Sequence, residues 1–270
     1  MKLLNGRDLA DYIKQRQAGE VRTLRQARHI VPKLAIVQVK DDPVINTYVR
    51  LKKQYGADIL VDVDIHRISQ AEAADLIQNL NDDENVHGII VQLPLENSDQ
   101  TDEIVNKVAA GKDVDALGEN AQFEPATPMA IMWLLSGYNV DIRGKKVLLI
   151  GRGKLVGAPL EKLLKASDID VEVVDRTADD LSVHTKTADI IITATGSPAI
   201  LYSEMIKQGA VVVDAGVASE SGKTVGDLAP EVYDRQDLTI TPQKGGVGPL
   251  TVCALFENVI RAARATTPKS

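Results

Sequence analysis

Two successive rounds of alternating strand and helix patterns predict an α/β protein with two three-layer α/β/α domains around a cleft. In the first round, apolar β-rich runs at Leu34 to Val39, Ile59 to Ile65 and Gly88 to Leu93 alternate with amphipathic stretches near Ile45 to Tyr55 and Gln70 to Leu80. Runs of this kind belong to a parallel sheet covered on both faces. The pattern restarts after Pro128 with a helix through Met129 to Leu135 and strands at Lys146 to Ile150, Val171 to Val174, Asp189 to Ala194 and Ala210 to Ala215. Thr127 as N-cap and Pro128 at the first helical position mark a linker helix between the rounds. The expected domains are 1–120 and 121–249, with a C-terminal helix over 250–270 packing back on the first.

The segment from Val147 to Pro159 says what the second domain is for. A buried strand ends at Ile150, Gly151, Gly153 and Gly157 allow a tight turn, and the chain resumes as a helix whose first N–H groups face outward. Such a turn cradles a pyrophosphate, so the second domain is expected to be a Rossmann-like dinucleotide-binding domain. The third glycine falls one position later than in G-x-G-x-x-G.

Composition narrows the classes further. The 270 residues carry 38 Asp and Glu against 31 Lys and Arg, a net charge of −7. That balance argues against nucleic acid and against an anionic membrane as partners, because both select a basic surface. The lone Cys253 excludes an internal disulfide and reads as a small core residue within Leu250 to Leu255. Neither a signal-peptide apolar region nor an apolar run of membrane-spanning length is present, so the expected compartment is the cytoplasm. The four histidines, His29, His66, His87 and His184, show no i, i+3 or i, i+4 pairing, and no metal site is expected. There is no G-x-S-x-G elbow and no G-x-x-x-x-G-K-[ST] loop.

Three segments of the first domain carry candidate chemistry. Tyr48 and Lys52 sit four apart in a helical stretch, so phenol and ammonium share one face, a turn apart. Proton transfer is one use of such a pair, and a core tyrosine with a lysine snorkelling over it is the other. Short-chain dehydrogenases place a similar pair far after the nucleotide glycines, whereas here it precedes them. Gln92 is a polar side chain near the end of a buried strand, where an unpaired amide costs about 1–3 kcal/mol. Ligand crevices form at such strand ends. Lys112-Asp113-Val114-Asp115 follows a helix and reads, alone, as an acidic surface loop.

Taken together and in order, these segments resemble the methylenetetrahydrofolate dehydrogenase/cyclohydrolase family. The resemblance rests on Asp41-Asp42-Pro43 with Tyr48 and Lys52, on Val91-Gln92-Leu93-Pro94-Leu95, on Lys112 to Asp115 and on Thr127-Pro128. It continues through the glycine turn with Val156, Gly157 and Pro159, then Thr241-Pro242 and Gly245-Gly246-Val247-Gly248-Pro249-Leu250-Thr251, and so covers essentially the whole chain. The resemblance implies oxidation of 5,10-methylenetetrahydrofolate to the methenyl form with NADP, then hydrolysis to 10-formyltetrahydrofolate, in a homodimer. It implies Tyr48 against the folate ring, Lys52 as general acid/base, Gln92 orienting that lysine, and Asp115 accepting from the amino-pyrimidine edge of the pterin. Gly248 and Pro249 are implied in a loop over the pterin. Gly151, Arg152, Gly153, Val156, Gly157, Asp175, Arg176, Thr195 and Gly196 are implied on the cofactor side. No metal is implied.

Several positions depart from the family pattern. Lys40 and Ala116 stand where glycine is usual, Val44 and Ile45 where small residues are usual, Ala130 where glycine follows Thr-Pro, and Gln243-Lys244 where a valine–proline pair precedes the double glycine. Arg152 matches an arginine that binds the 2′-phosphate of NADP and Arg176 adds a second charge, but Asp175 stands where a serine serves the same phosphate. A carboxylate there suits a free ribose hydroxyl, and hence NAD, unless it pairs with an arginine. Two other readings stand beside the bifunctional enzyme: a catalytically altered or silent folate- or nucleotide-binding member of the same scaffold, and a monofunctional NAD-dependent dehydrogenase.

Overall fold

The computed structural model describes residues 1–175, 180–216, 218–220 and 223–266, and the chain divides into two compact units. One comprises Asp11–Ala126 and the residues from Val252 onward; the other comprises Met1–Ala10 and Thr127–Thr251. In chain order come β1 (Lys2–Leu3), α1 (Gly6–Arg28), β2 (Lys33–Gln38), α2 (Pro43–Asp58), β3 (Asp62–Arg67), α3 (Ala73–Asp82), β4 (Gly88–Val91) and α4 (Thr101–Val105). They are followed by α5 (Ala126–Gly137), β5 (Val147–Ile150), α6 (Gly157–Ala166), β6 (Val171–Val174), α7 (Leu181–Thr185), β7 (Ile190–Thr193) and β8 (Val211–Asp214). A hairpin of β9 (Ala218–Glu220) and β10 (Lys223–Val225), then β11 (Thr239–Ile240) and α8 (Val247–Ala265), complete the order.

The first unit is built on a parallel three-stranded sheet in the order β3-β2-β4. The central strand is apolar on both faces because both are covered: Leu34, Ala35, Ile36 and Val37 are all 0 % exposed. The edge strand β3 instead sets exposed Asp62 and Asp64 beside half-buried Val63 and Ile65, and such charges discourage edge-to-edge pairing. The expected strand from Ile59 is corrected here. Ile59 and Leu60 close α2 in a Schellman motif, with Val61 N–H donating to the Gly56 carbonyl at 2.9 Å and Leu60 N–H to that of Ala57 at 3.3 Å. Leu60 takes the left-handed conformation this closure needs, at φ +67°. The apolar run was therefore a helix stop followed by a strand.

At the other end of α2, Asp42 is the N-cap, accepting from Val44 N–H at 2.8 Å and Ile45 N–H at 3.2 Å, and Pro43 occupies the first turn. That accounts physically for the Asp-Pro pair: the carboxylate satisfies orphan donors and proline has none to lose. From Val252 onward α8 belongs to this unit. Phe256 lies 5.0 Å from the Tyr55 ring, the Tyr55 hydroxyl donates to Gln17 at 2.7 Å, and the buried Asn258 amide donates at 2.9 Å to the carbonyls of Val114 and Glu124. Cys253 is a buried core residue on the same face.

The second unit carries a parallel sheet in the order β1-β11-β8-β7-β5-β6. Its core strands β5, β7 and β8 bury Leu149, Ile150, Ile191, Ile192, Val212 and Val213 completely. A fully buried aliphatic side chain contributes about 1.5–3 kcal/mol each. The chain passes from β5 to β6 on one side and then to β7 on the other, so the strand order reverses between β5 and β7. Residues 1–10 also belong here, although the sequence reading began the first domain at residue 1: β1 pairs with β11 through Lys2–Thr239 and Leu3–Ile240, and Leu4 is fully buried. Two-residue strands leave no periodic signal. Helix α5 starts at Ala126, so Thr127 and Pro128 lie in its first turn. Helix α8 starts at Val247, which puts Gly248 and Pro249 in a helical first turn rather than the expected loop, a position where proline is tolerated. Among the described residues, no helix is long and apolar enough to cross a membrane.

Candidate active site

In the first unit, α2 presents Tyr48 and, one turn later, Lys52. Tyr48 is 42 % exposed, so its ring is not spent on the core. The Lys52 ammonium donates to the Oε1 of Gln92 at 2.7 Å, while the Gln92 amide donates to the Leu93 carbonyl at 3.0 Å. Gln92 is itself fixed by its N–H on the Val37 carbonyl at 2.9 Å, which continues the ladder beyond β4. The strand end thus supplies the acceptor that the lysine needs. Burial holds the Lys52 amine below the ordinary lysine range, and the Asp115 carboxylate opposes that shift. Burial likewise pushes Asp115 above the ordinary carboxylate range, with Lys52 opposing. Lys52, Gln92 and Asp115 therefore share one neighbourhood, with Tyr48 one turn before Lys52 on α2, and burial biases the amine toward losing its proton and the carboxyl toward keeping one.

The loop that delivers Asp115 is built by its neighbours. The Lys112 ammonium donates to the carbonyls of Leu80, Asn81 and Asp83 at 3.1, 2.7 and 2.7 Å, closing the C-terminus of α3. Asp113, 4 % exposed, accepts from Gly118 N–H at 2.8 Å and Leu117 N–H at 3.4 Å. These two residues are scaffold, and they leave Asp115 to face Lys52. Ala116 follows at φ +55°, a left-handed conformation for which the glycine usual at this position has no steric cost. His87, which accepts from Lys33 N–H at 3.2 Å, is a structural residue, and burial lowers its basicity.

In the second unit the cofactor candidates gather at the β5–α6 turn. Gly151 has φ +97°, and a Cβ on Gly157 would lie 2.1 Å from the Gly151 carbonyl oxygen. The turn is therefore closed on itself to a degree only glycine allows. Gly153 meets nothing within 4 Å of its would-be Cβ, and Val156 is the N-cap of α6 without a side-chain cap bond. A Cβ on Gly151 would meet the Ala194 carbonyl at 2.8 Å and the Thr195 methyl at 2.9 Å, which brings Thr195 and Gly196 to the same place. Gly196 is exposed at φ +62°. Arg152 places Nε and one terminal nitrogen on the Glu161 carboxylate at 2.7 and 3.3 Å, and Lys165 holds the same carboxylate at 2.7 Å. The Arg152 side chain nonetheless remains 66 % exposed. Asp175 is exposed directly after β6, and Arg176 lies outside the described residues.

Sequence reasoning missed Glu161 and the acidic pair Asp214 and Asp227. Asp227 is fully buried and accepts from the N–H groups of Thr195 and Ser197 at 2.8 and 3.0 Å. A signal was available: acids flanking apolar strands with glycine two residues after Asp214 and immediately before Asp227.

Sequence profiles described as tetrahydrofolate dehydrogenase/cyclohydrolase, catalytic domain, and as its NAD(P)-binding domain match residues 4–115 and 125–267. The bifunctional protein FolD of Campylobacter jejuni is 38 % identical over 98 % of this chain and 99 % of its own length. A crystal structure of FolD from the same organism superposes with a TM-score of 0.92 at 36 % identity, covering 98 % of this chain and 99 % of that one. The Trypanosoma brucei methylenetetrahydrofolate dehydrogenase-cyclohydrolase, solved with NADP and an inhibitor, gives a TM-score of 0.92 at 30 % identity, covering 99 % and 98 % of the two chains.

Proposed function

The chain belongs to the tetrahydrofolate dehydrogenase/cyclohydrolase family, and from that premise we propose that it oxidises 5,10-methylenetetrahydrofolate with NADP and hydrolyses the product to 10-formyltetrahydrofolate. The observation that carries the reading is the half-buried amine of Lys52 held at 2.7 Å by Gln92 and electrostatically coupled to Asp115. Retention of this set together with Tyr48 favours an active enzyme over a silent binding protein. In this reading the unit of Asp11–Ala126 takes the folate and that of Thr127–Thr251 takes the nucleotide.

The residues of the second unit fit a dinucleotide, since Gly151 and Gly157 let the turn close on itself more tightly than any Cβ would allow and α6 begins there. When bound, the nicotinamide accepts the hydride leaving the methylene carbon. Arg152, mostly exposed at the turn, suits the 2′-phosphate of NADP once it shares its guanidinium with Glu161. Asp175 is the residue that would favour NAD.

For the hydrolytic step, Lys52 takes a proton from water as its oxygen adds to the methenyl carbon. The lysine then returns a proton to the ring nitrogen as the carbon–nitrogen bond opens and the carbinol hydroxyl loses its proton to solvent, leaving the formyl group on the other nitrogen. Burial suits the amine to this task because it favours the neutral form. Gln92 fixes the direction of the amine, Tyr48 offers an aromatic face, and Asp115 accepts hydrogen bonds from the pterin edge. We assign the protein to the cytoplasm as a homodimer. Incubation with methylenetetrahydrofolate and either cofactor, followed by absorbance, tests the assignment: NADP should turn over at least about tenfold better than NAD, and a reversed ratio moves the cofactor to NAD. Light scattering should give twice the chain mass.

A further inference from the structure

We propose that Asp227 is a positioning residue of the nucleotide site, holding the turn Thr195–Ser197 in its binding conformation before any ligand arrives. The inference rests on the dinucleotide reading above. It begins with topology. The strand order reverses between β5 and β7, and in open parallel sheets ligands enter at the carboxyl ends of the strands flanking such a reversal. Two loops leave the sheet there: the glycine turn after Ile150 and the segment Ala194–Ser197 after β7. They touch, as the close approach of Gly151 to Ala194 and Thr195 requires. Fixing one loop therefore fixes the other.

Asp227 fixes the second loop from 30 to 32 residues away in sequence. Its Oδ2 accepts from Thr195 N–H at 2.8 Å and its Oδ1 from Ser197 N–H at 3.0 Å, so both oxygens are committed to one turn. The residue's own carbonyl accepts from Ile200 N–H at 2.8 Å, which ties the same loop a second time. The carboxylate sits in a slot made by glycine, since a Cβ on Gly216 would lie 2.0 Å from Oδ1. Asp214 mirrors the arrangement: it accepts from Gly216 and Asp227 N–H at 2.9 and 3.1 Å, and a Cβ on Gly226 would lie 2.0 Å from its Oδ2. Asp-x-Gly and Gly-Asp thus interlock, each glycine making room for the other segment's acid. A buried carboxylate whose two oxygens each accept from a backbone N–H of one turn has a positional use, because Thr195 and Ser197 are half-buried while Gly196 at the apex stays exposed.

The test is Asp227→Asn, which keeps shape but turns one acceptor into a donor facing an N–H group. Calorimetric titration should show Kd for NADP and for NAD raised by about tenfold or more, and by the same factor, because the turn does not read the 2′ position. The dehydrogenase kcat at saturating NADP should change by less than about threefold, and methenyltetrahydrofolate hydrolysis should remain within about twofold of wild type. Unchanged Kd values in a folded variant overturn the proposal, as does hydrolysis falling in step with nucleotide affinity. Should the variant fail to fold, amide exchange on the wild-type protein decides: the Thr195 and Ser197 N–H groups must be protected without nucleotide, and exchange at open-loop rates contradicts the idea. A wild-type protein that binds neither nucleotide refutes the dinucleotide reading itself, an outcome separate from any effect of Asp227→Asn.

Discussion

The two units make their sites from different material. In the first, side chains come together from three separate segments: Lys52 on α2 donates to Gln92 at the end of β4, and burial shifts the acidity of Lys52 and of Asp115 in a loop while each charge opposes the other's shift. In the second, backbone does the work: a glycine turn, a helix start and a loop whose N–H groups are anchored on Asp227. A site made of titrating side chains is tuned by charge and burial, whereas one made of backbone is tuned by what space a Cβ occupies. Substitutions should therefore act on the two units by different rules.

The largest separation is expected from Gly157→Val. Its side chain would occupy the space 2.1 Å from the Gly151 carbonyl, so the turn must open and nucleotide binding should fall beyond detection in calorimetry. Hydrolysis, which the proposal places in the other unit, should persist; its loss would erase the distinction. Gln92→Leu comes next. Leaving the Lys52 amine without its acceptor should lower hydrolysis by about 10- to 100-fold while nucleotide affinity stays at wild type.

The charge rule is sharpened by pH. In the proposed mechanism Lys52 acts as a base only when deprotonated, and burial lowers its pKa. The hydrolytic rate should rise with pH and level off below 10.5, the value of an ordinary lysine. Because Asp115 raises the Lys52 pKa, Asp115→Asn should move the midpoint for Lys52 acylation by an amine reagent to lower pH. A midpoint that stays or moves upward would contradict the coupling.

The smallest effect is expected at Ala116. Its φ of +55° strains an alanine where glycine would not be strained, so Ala116→Gly should stabilise the protein by about 0.5–1 kcal/mol in urea unfolding. Destabilisation would mean that the loop depends on the alanine side chain.

Legibility followed the same division. The glycine turn and the buried four-residue strands β5 and β7 were readable because their signals are local: an apolar run, a glycine, a helix start. Tyr48 and Lys52 were readable as a pair for the same reason, but their neighbourhood with Gln92 and Asp115 came only from family resemblance, since no local pattern ties positions 52, 92 and 115. Lys112 and Asp113 looked like surface charge and turned out to cap α3 and brace a loop, because their acceptors and donors lie elsewhere in the sequence. Ile59 was read as strand because an apolar residue closing a helix resembles one opening a strand. The pairing of β1 with β11 spans more than two hundred residues through two-residue segments and leaves nothing to read.

The central claim is that Lys52 carries the hydrolytic chemistry and that the nucleotide site is a separate construction. Separate assay of the two half-reactions in Lys52→Met tests it most directly. Hydrolysis should fall by about 10²- to 10⁴-fold while measurable hydride transfer to NADP remains. Equal loss of both activities, or hydrolysis that survives, would contradict the account.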